Sequence, residues 1–285
     1  MRLKDFFKRF VEGLLMGAAN IIPGVSGGTI ALIIGIYDKL IHAINKIPKD
    51  LPIPLLKGDV DGFKSKLNDI DFPFLVPIAV GALISIISIA RGLEFVMDSY
   101  PAITFAFFFG LILASVAVIY KYIEKINIRS IISAIIGFVF VFYVLGIEGI
   151  EFGHGPIMIF FSGVVSIVSM ILPGISGSYI LVILNQFEFM VDALCGLKFS
   201  IIIIFSLGAL IGIFGFAKLL DYLLQKYPSV SMAFLFGLML GALRVPLVKS
   251  MNNATNIYEI IIPAILGAVF VAILEYKYVI KDKIG

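Results

Sequence analysis

The sequence has no tryptophan, a single cysteine and few charged residues for its 285 positions. Cys195 alone excludes an intrachain disulfide and any metal site built from several cysteines. Charged residues make up 14% of the chain and apolar residues 60%, whereas soluble domains have roughly 25% charged and about 45–50% apolar residues. This composition excludes an ordinary soluble globular domain. Without tryptophan, anchoring at a membrane interface falls to tyrosines such as Tyr100 and Tyr227.

Signatures of common enzymes and of metal sites are also missing. The chain has no nucleotide-binding fingerprint, no zinc-ligand spacing and no arguable Ser-His-Asp arrangement. Its two histidines, His42 and His154, are isolated in the sequence. We therefore expect no cofactor, no metal and no nucleic-acid partner.

What the chain does contain is an internal repeat. The segment IIPGVSGGTIALI at Ile21–Ile33 recurs as ILPGISGSYILVI at Ile171–Ile183, with seven of thirteen positions identical. Further matches follow in the same order: GALI at 81–84 and 208–211, Tyr-Pro at 100–101 and 227–228, and AFFFGL at 106–111 with AFLFGL at 233–238. Chance similarity between aliphatic runs would not keep Gly, Pro, Tyr and Phe in order. We predict two repeats, residues 1–150 and 151–285.

Each repeat is predicted to contain one broken apolar segment and three transmembrane helices. The broken segments, 10–44 and 157–194, are expected to be re-entrant hairpins, because Pro-Gly interrupts each one after an apolar limb too short to cross a bilayer. A loop at 46–71, rich in Lys, Asp and Pro, is expected to be cytoplasmic and solvated. The transmembrane helices are predicted at 73–97, 101–121, 130–147, 199–222, 228–248 and 258–277.

The predicted hairpins decide the topology. A hairpin returns to the side that it left, so three further crossings make the two repeats run in opposite directions, as in many secondary transporters. With the N-terminus in the cytoplasm, most of the 22 Lys and Arg residues face the cytoplasm, as the positive-inside rule requires. The predicted fold is an all-α polytopic membrane protein with two inverted-topology repeats and with both termini cytoplasmic.

Pairs of glycines four residues apart indicate close helix packing. Small residues with this spacing let two helix backbones approach within a membrane. The pairs are Gly13 and Gly17, Gly208 and Gly212, and Gly237 and Gly241.

The two Pro-Gly-x-Ser-Gly loops, Pro23–Gly28 (the first loop) and Pro173–Ser178 (the second loop), are the candidate ligand site. Irregular backbone at membrane depth requires protein or a water-filled cavity around it. Ser26 and Ser176 are expected to cap the helices that follow. The first N–H groups of these helices lack intrahelical partners, and helix N-termini of this kind bind phosphate or carboxylate. The alternative, a Pro-Gly kink in one long helix, does not explain the duplication. The candidate phosphate ligands are Pro23, Gly24, Val25, Ser26, Gly27, Gly28, Thr29, Pro173, Gly174, Ile175, Ser176, Gly177 and Ser178.

Charged residues within apolar segments are further candidates, because such residues are costly in a bilayer. Arg91 and Lys218 occupy the same position in the two copies and are candidate phosphate partners; the alternative is that they extend to the interface. Arg244 lies toward the outer face and has no counterpart in the first copy. The candidate residues for coupling to H⁺ or Na⁺ are Glu12, Glu94 and Asp221. For Glu12 the alternative is a place at the headgroup level, and for Glu94 an ion pair with Arg91.

The run AANIIPGVSGGTIALIIGIYDKLI at Ala18–Ile41, repeated as ILPGISGSYILVIL at Ile171–Leu184, resembles the PopT family of prokaryotic membrane proteins over nearly the whole chain. The resemblance implies transport of a polyprenyl phosphate, undecaprenyl phosphate, from the outer to the inner leaflet of the cytoplasmic membrane. This transport recycles the lipid carrier of cell-wall synthesis. The second copy departs from the first at Ser178 and Tyr179, so the two phosphate cradles need not be equivalent.

Two other functions share features with this sequence. Membrane undecaprenyl-diphosphate phosphatases of the bacitracin-resistance type also have a Pro-Gly-x-Ser motif, but theirs continues with Arg and another Ser. Here Gly27-Gly28 and Gly177-Ser178 stand in that place, so we expect the chain not to be an enzyme. A coupled transporter of a small soluble anion would have the same fold, and only a lateral opening toward lipid distinguishes the two. The oligomeric state and the chain length of the lipid stay open.

Overall fold

The protein is all-helical over the residues that the computed structural model describes, which are 3–21, 26–48, 50–51, 53–54, 57–147 and 153–280. A π-helical turn at Tyr276–Ile280 follows the last helix. The described helices are α1 (Leu3–Ile21), α2 (Gly27–Ile33), α3 (Tyr37–Asn45), α4 (Val60–Asn68), α5 (Phe72–Ser99), α6 (Pro101–Tyr120), α7 (Ile128–Val144), α8 (Pro156–Ile171), α9 (Gly177–Ile183), α10 (Phe187–Cys195), α11 (Phe199–Lys226), α12 (Pro228–Ala242), α13 (Arg244–Asn253) and α14 (Tyr258–Glu275).

Among these described helices, five spans are long and apolar enough to cross a membrane: α5, α6, α11, α12 together with α13, and α14. Two further apolar helices, α7 and α8, are shorter, at 17 and 16 residues. The short helices α9 and α10 meet at a bend of 112°. The prediction of an all-helical protein with several potential membrane spans is confirmed.

Five of the six predicted transmembrane helices are observed with their ends shifted by four residues or fewer. The exception is 228–248, which breaks at Leu243 into α12 and α13. The start of α1 also differs, because the helix begins at Leu3 rather than near Phe10. The first turns of α1 contain Lys4, Lys8 and Arg9, which precede the apolar run. Lysine and arginine favour the helical conformation, so the helix begins before the apolar run does.

The segment after each loop is shorter than predicted. The expected limb of about a dozen residues is a helix of seven, α2 in the first copy and α9 in the second. Gly35 and Asn185 follow these helices with φ of 73° and 54°. Backbone in this left-handed region ends a helix. In both copies a third helix, α3 or α10, then starts in a new direction.

Four pairs of helices touch through reciprocal glycines. A Cβ atom at Gly13 would overlap the Ile78 carbonyl on α5, and one at Gly81 would overlap the Phe10 carbonyl on α1. The second-copy pair, α8 with α11, is matched in the same way through Gly163 and Gly208. The other two pairs are α7 with α12, through Gly137 and Gly237, and α6 with α14, through Gly110 and Gly267. The packing role predicted for the spaced glycines is confirmed.

The paired helices run parallel, since Gly13 faces Ile78 while Gly17 faces Ala82. Helices α1 and α5 also begin side by side: the Arg9 guanidinium lies 5.1 Å from the centroid of the Phe74 ring. The chain between them therefore comes back to the end of the bundle where α1 began. Asp71 caps α5 at this point by accepting a hydrogen bond from the Phe74 N–H at 3.2 Å.

These contacts predict different effects of two glycine substitutions on α11. Gly208→Leu places a side chain against the Phe160 carbonyl of α8, whereas Gly215 has open space where a Cβ would lie. We expect Gly208→Leu to lower the free energy of unfolding by about 1–3 kcal/mol, as overpacking does, and Gly215→Leu to leave it nearly unchanged. Thermal unfolding of the purified variants in detergent measures both effects. Equal midpoints for the two variants would contradict the proposed packing.

Candidate functional site

The first loop is described from Ser26 onward; Pro23, Gly24 and Val25 lie outside the described residues. Ser26 caps α2 as predicted, because its Oγ accepts a hydrogen bond from the Thr29 N–H at 3.2 Å. The Gly27 N–H donates to Asn20 Oδ1 at 2.7 Å. Ser26 and Thr29 are fully buried. Two of the N–H groups at this helix start are thus already occupied by side-chain oxygens of the protein.

The first copy makes three hydrogen bonds to the backbone that leads into the second loop. Ser26 Oγ donates to the Leu172 carbonyl at 2.9 Å, and Tyr37 OH donates to the Ile171 carbonyl at 3.2 Å. The Gly174 N–H donates to Thr29 Oγ1 at 3.1 Å. Because α8 ends at Ile171, its last carbonyls lack intrahelical partners, and these hydroxyls supply them. Residues 26–29, at the end of the first loop and the start of α2, are therefore in direct contact with residues 171–174, at the start of the second loop.

Two glycines make this approach geometrically possible. A Cβ atom at Gly28 would overlap the Ile171 carbonyl oxygen. Gly174 has φ of +86°, a conformation that side chains with a Cβ disfavour. Met239 and Ala242, at the end of α12, occupy the space next to the position where a Cβ of residue 174 would lie. Gly28 thus allows the contact between the copies, whereas Gly174 allows the second loop to pack closely on α12 of its own copy.

The second loop is built differently from the first. Pro173, Gly174 and Ile175 are buried, and Ser176 is only 3% exposed. The prediction that Ser176 caps the following helix is wrong: it forms no capping bond to α9. Its Oγ lies instead 2.7 Å from Ser178 Oγ. Two hydroxyls bonded to each other leave the first N–H groups of α9 without this side-chain acceptor.

The departures at Ser178 and Tyr179 have a structural counterpart. Tyr179 stands where the first copy has Thr29, and its OH donates to the Leu145 carbonyl at 3.1 Å. Phe187 stands where the first copy has Tyr37 and has no hydroxyl to donate. Among the described residues, the bonds of Thr29 with Gly174 and of Tyr37 with Ile171 thus have no equivalents from the second copy to the first.

Among the predicted cations, Arg244 lies near the second loop. It starts α13, two residues after Ala242, which contacts Gly174. Its Nη1 donates to the Phe142 carbonyl at 2.7 Å, and the guanidinium lies 4.5 Å from the centroid of the Phe142 ring. Arg244 and Tyr179 are therefore both fixed to the C-terminal end of α7.

The structure does not bring Lys218 to the loops. Lys218 is exposed on α11 and makes no hydrogen bond or ion pair with a described residue. The backbone of Arg91 and of Glu94 lies in α5, but their side chains are outside the described part, so their pairing stays a prediction. The roles proposed for these residues are unchanged by the structure.

Two of the candidate coupling carboxylates are buried and hydrogen-bonded away from the loops. Glu12 is fully buried, and its Oε2 lies 2.7 Å from Arg9 Nη1. The Asp221 carboxylate on α11 accepts hydrogen bonds from Asn45 Nδ2 at 2.7 Å and from Gln225 Nε2 at 2.8 Å. His42 Nδ1 lies 3.4 Å from Asp221 Oδ1, the oxygen that also accepts the hydrogen bond from Gln225. The described residues contain no group of three or more His, Cys, Asp or Glu able to hold a metal.

Sequence reasoning missed the polar residues that complete these networks. Asn20, Tyr37, Asn45 and Gln225 are isolated amides and a phenol in apolar surroundings, with no motif of their own. Tyr37 and Asn20 lie within the run quoted for the family resemblance. Asn20 bonds to Gly27 of its own copy, whereas the partner of Tyr37, Ile171, is reached only when the copies are packed together. The fold and the site together define a multi-pass helical membrane protein in which the start of α2 meets the second loop within the core.

The chain belongs to the VCA0040-like, undecaprenyl phosphate translocase-like family, whose model matches residues 16–261. A polyprenyl-phosphate transporter of Vibrio cholerae serotype O1 is 35% identical over 239 residues, which is 84% of this chain and 77% of that protein. A polyprenyl-phosphate transporter of Staphylococcus aureus is 26% identical over 251 residues, 82% of this chain and 83% of that protein. Both are named as transporters rather than enzymes, in agreement with the expectation for this chain. No solved structure matches it.

The contact between the loops predicts a specific cost for removing one hydroxyl. Thr29→Val keeps the side-chain shape but leaves the buried Gly174 N–H without its acceptor, so we expect a loss of about 1–3 kcal/mol in the free energy of unfolding. Thr104→Val is the matched control, because the buried Thr104 hydroxyl bonds only to carbonyls one or two turns before it, Tyr100 and Val96. Denaturant unfolding in mixed micelles measures both variants. A loss no larger than that of the control would argue against the contact.

Proposed function

We propose that the protein is a transporter that moves a polyprenyl phosphate, such as undecaprenyl phosphate, across the cytoplasmic membrane of a prokaryote and so recycles the lipid carrier of cell-wall synthesis. The direction is outer leaflet to inner leaflet. The observation that carries the proposal is the contact of Ser26 and Thr29 with the second loop at Leu172 and Gly174. Family membership and the names of the two relatives support the choice of substrate.

The arrangement of the helices supports two re-entrant hairpins in an inverted repeat. The chain returns after α1 to the end where α1 began, and the parallel pair α8 and α11 repeats this arrangement in the second copy. Between the hairpins lie three helices, α5, α6 and α7. If each of these crosses the bilayer, the second hairpin enters from the opposite side. Both termini are then cytoplasmic.

The hydroxyls and N–H groups of the loops suit a phosphate headgroup. In the present arrangement the donors and acceptors of Ser26, Thr29 and Gly174 satisfy one another. Separation of the loops exposes them, and phosphate oxygens replace the lost partners, so no buried polar group is left unpaired. The polyprenyl tail stays in lipid while the head crosses between the loops. Few fixed charges are then needed within the bilayer.

Cations close to the path are proposed to offset the phosphate charge. Arg244 is already held beside the second loop through Phe142. Arg91 and Lys218 are proposed to serve the two faces of the membrane, one in each repeat. Such charge-assisted hydrogen bonds to phosphate are stronger than neutral ones.

The buried carboxylates are proposed to couple transport to H⁺ or Na⁺. Glu12 and Asp221 are held in the interior by Arg9, Asn45 and Gln225, and ionisable groups within membrane proteins mark such relays. Glu94 completes the set. Replacement of all three by Gln or Asn is expected to abolish the pH or Na⁺ dependence of transport in liposomes. Unchanged transport and unchanged pH dependence would remove the coupling role.

The central experiment is transport of undecaprenyl phosphate by purified protein in liposomes, with Ser26→Ala/Ser176→Ala compared to wild type. We expect the double variant to lose about tenfold or more of the rate, since each hydroxyl hydrogen bond to a charged group contributes about 1.5–3 kcal/mol. Ser162→Ala is the control, because the buried Ser162 hydroxyl bonds only within its own helix, to the Met158 carbonyl. Rates are compared at equal amounts of folded, reconstituted protein.

The same vesicles separate the alternative functions. Release of inorganic phosphate from undecaprenyl diphosphate would identify a phosphatase. Uptake of a soluble anion that undecaprenyl phosphate does not inhibit would identify a transporter of small anions. Transport of the intact lipid, equal in wild type and in the double serine variant, would leave the substrate in place but remove the loops as its path.

The inverted topology has a direct test by cysteine labelling. In a Cys195→Ser background, Ser65→Cys lies on exposed α4 and Asn252→Cys on exposed α13. A membrane-impermeant maleimide applied to intact cells is expected to label Asn252→Cys, and to label Ser65→Cys only after permeabilisation. The opposite pattern would reverse the orientation, and labelling of both in intact cells would refute the inverted arrangement.

A further inference from the structure

A polar cleft and an apolar groove adjoin each other along α3. The polar cleft, of about 400 Å³, is lined by Lys39 and His42 of α3, by Lys46 at its C-terminal end, and by residues of the segment 68–73. The apolar groove, of about 390 Å³, is lined only by apolar residues. Among them are Leu40 and Ile44 of α3, Ile47 just after it, Ile78 of α5, and Leu210 and Ile213 of α11. At about 100° per residue, the two stripes lie roughly 130° apart around the axis of α3.

The residues at the start of α5 are likewise divided between the polar clefts and the apolar groove. Pro73 and Phe74 border polar clefts, whereas Leu75 and Ile78 border the apolar groove. The third wall of the groove, α11, belongs to the second repeat. Asp221 of α11 holds α3 through Asn45. The groove therefore lies where the two repeats meet, and its polar end is formed by the first repeat.

Lys39 is the cation at the junction. Its Nζ lies 4.3 Å from the centroid of the Phe74 ring, and Arg9 lies over the same ring at 5.1 Å. Lys39 also borders a second polar cleft of about 220 Å³, together with Lys8 and Arg9. Its nearest carboxylate, Asp71, is 3.9 Å away, and the Lys39 side chain is 53% exposed. An ion pair this long and exposed contributes little, so the ammonium can exchange it for a phosphate.

Acidic side chains are present on the opposite wall. Asp69 and Asp71 border the larger polar cleft, and Asp5 and Asp71 the smaller one. Arg9 is engaged by the buried Glu12 carboxylate. The cations on the α3 side of the cleft are therefore the groups able to bind an anion. They lie next to the apolar residues of α3 that line the groove.

We propose that this junction is a docking site for the polyprenyl phosphate, with the phosphate bound to Lys39 and Lys46 beside His42 and the first isoprene units lying in the groove between α3, α5 and α11. The inference rests on the proposed function and extends it. It gives the substrate a place near the end of the bundle where α1 and α5 begin, apart from the paired loops. On the proposed topology this end is cytoplasmic, so the site receives or releases the lipid at the inner leaflet.

The combination of surfaces selects this occupant over others. A soluble anion would use the cations but not the groove, and a neutral lipid would use the groove but not the cations. Ordinary phospholipids carry a phosphodiester with a single phosphate charge, whereas a phosphate monoester carries about −1.5 to −2 at pH 7. Lys39 and Lys46 together carry two positive charges. They therefore suit the more highly charged phosphate monoester better than a phosphodiester.

The test is photo-crosslinking with a polyprenyl phosphate that carries a diazirine in an isoprene unit near the phosphate. The protein is reconstituted in vesicles of phosphatidylethanolamine and phosphatidylglycerol, and labelled peptides are mapped by mass spectrometry. We expect label on α3, α5 and α11. Unlabelled polyprenyl phosphate should compete, while the uncharged polyprenol and added phosphatidylglycerol should not.

Two matched pairs of variants locate the tail and the head. Leu210→Trp fills the groove, whereas its neighbour Ile211 is exposed and does not line it, so Ile211→Trp is the control. Lys39→Glu reverses the charge at the junction, and Lys64→Glu does so on exposed α4. We expect Leu210→Trp and Lys39→Glu each to reduce labelling about tenfold, which corresponds to about 1.4 kcal/mol. The controls should label like wild type.

The outcomes separate this inference from the proposed function, because transport of unlabelled lipid is measured in the same vesicles. Transport with no label in the groove, or with equal labelling of the Leu210→Trp and Ile211→Trp variants, overturns the docking site alone. Competition by phosphatidylglycerol equal to that by polyprenyl phosphate shows an ordinary annular-lipid groove and also overturns it. If wild type transports no polyprenyl phosphate, the proposed function fails and the docking site fails with it.

Discussion

The constraint on which the rest of the structure depends is the direct contact between helix backbones at reciprocal glycines. Lipid tails are as apolar as leucine, so burial of apolar side chains drives helix association only weakly in a bilayer, and close van der Waals packing must replace it. Glycines 13 and 81 hold α1 against α5, and glycines 163 and 208 hold α8 against α11. The second loop follows directly from α8, and the described part of the first loop, from Ser26, leads into α2. The position of the second loop is therefore set by a helix whose backbone is packed closely against α11.

The contact between the repeats also provides hydrogen-bond partners for backbone carbonyls in the core. A helix that stops inside an apolar protein leaves carbonyls without partners, and each one costs free energy if it stays unpaired. The end of α8 is satisfied by Ser26 and Tyr37, which belong to the other repeat. On the proposed function, the hydroxyls that would bind an anionic headgroup are the same groups that stabilise the contact between the repeats. Binding of the headgroup would then compete with this contact for the same atoms.

Much of this could be predicted from the residues. Runs without charged residues predicted the long helices. The repeated Pro-Gly-x-Ser-Gly motif identified the two regions of the chain that contact each other. Local composition did not reveal that Gly35 and Asn185 would end α2 and α9 after seven residues, since a left-handed residue inside an apolar run has no strong signal of its own. Nor could it show that Ser176 would bond to Ser178 instead of capping α9, because both choices satisfy a serine hydroxyl equally well. The partners of Asp221 depend on how α3 packs on α11, which is tertiary information.

The replacement of Thr29 and Tyr37 by Tyr179 and Phe187 in the second copy has a consequence for a carrier of this kind. On the proposed function, two identical inverted repeats would make the inward-open and outward-open states equivalent by a two-fold rotation, with equal free energies. Among the described residues, two hydrogen bonds run only from the first copy to the second, and each is worth about 0.5–1.5 kcal/mol. On the same proposal, the empty carrier would rest unequally between the two leaflets, by a factor that can reach about a hundred. Such a resting preference sets which leaflet the vacant site samples most, and so the kinetics of capture. The final distribution of lipid between the leaflets still depends on the energy that drives the cycle.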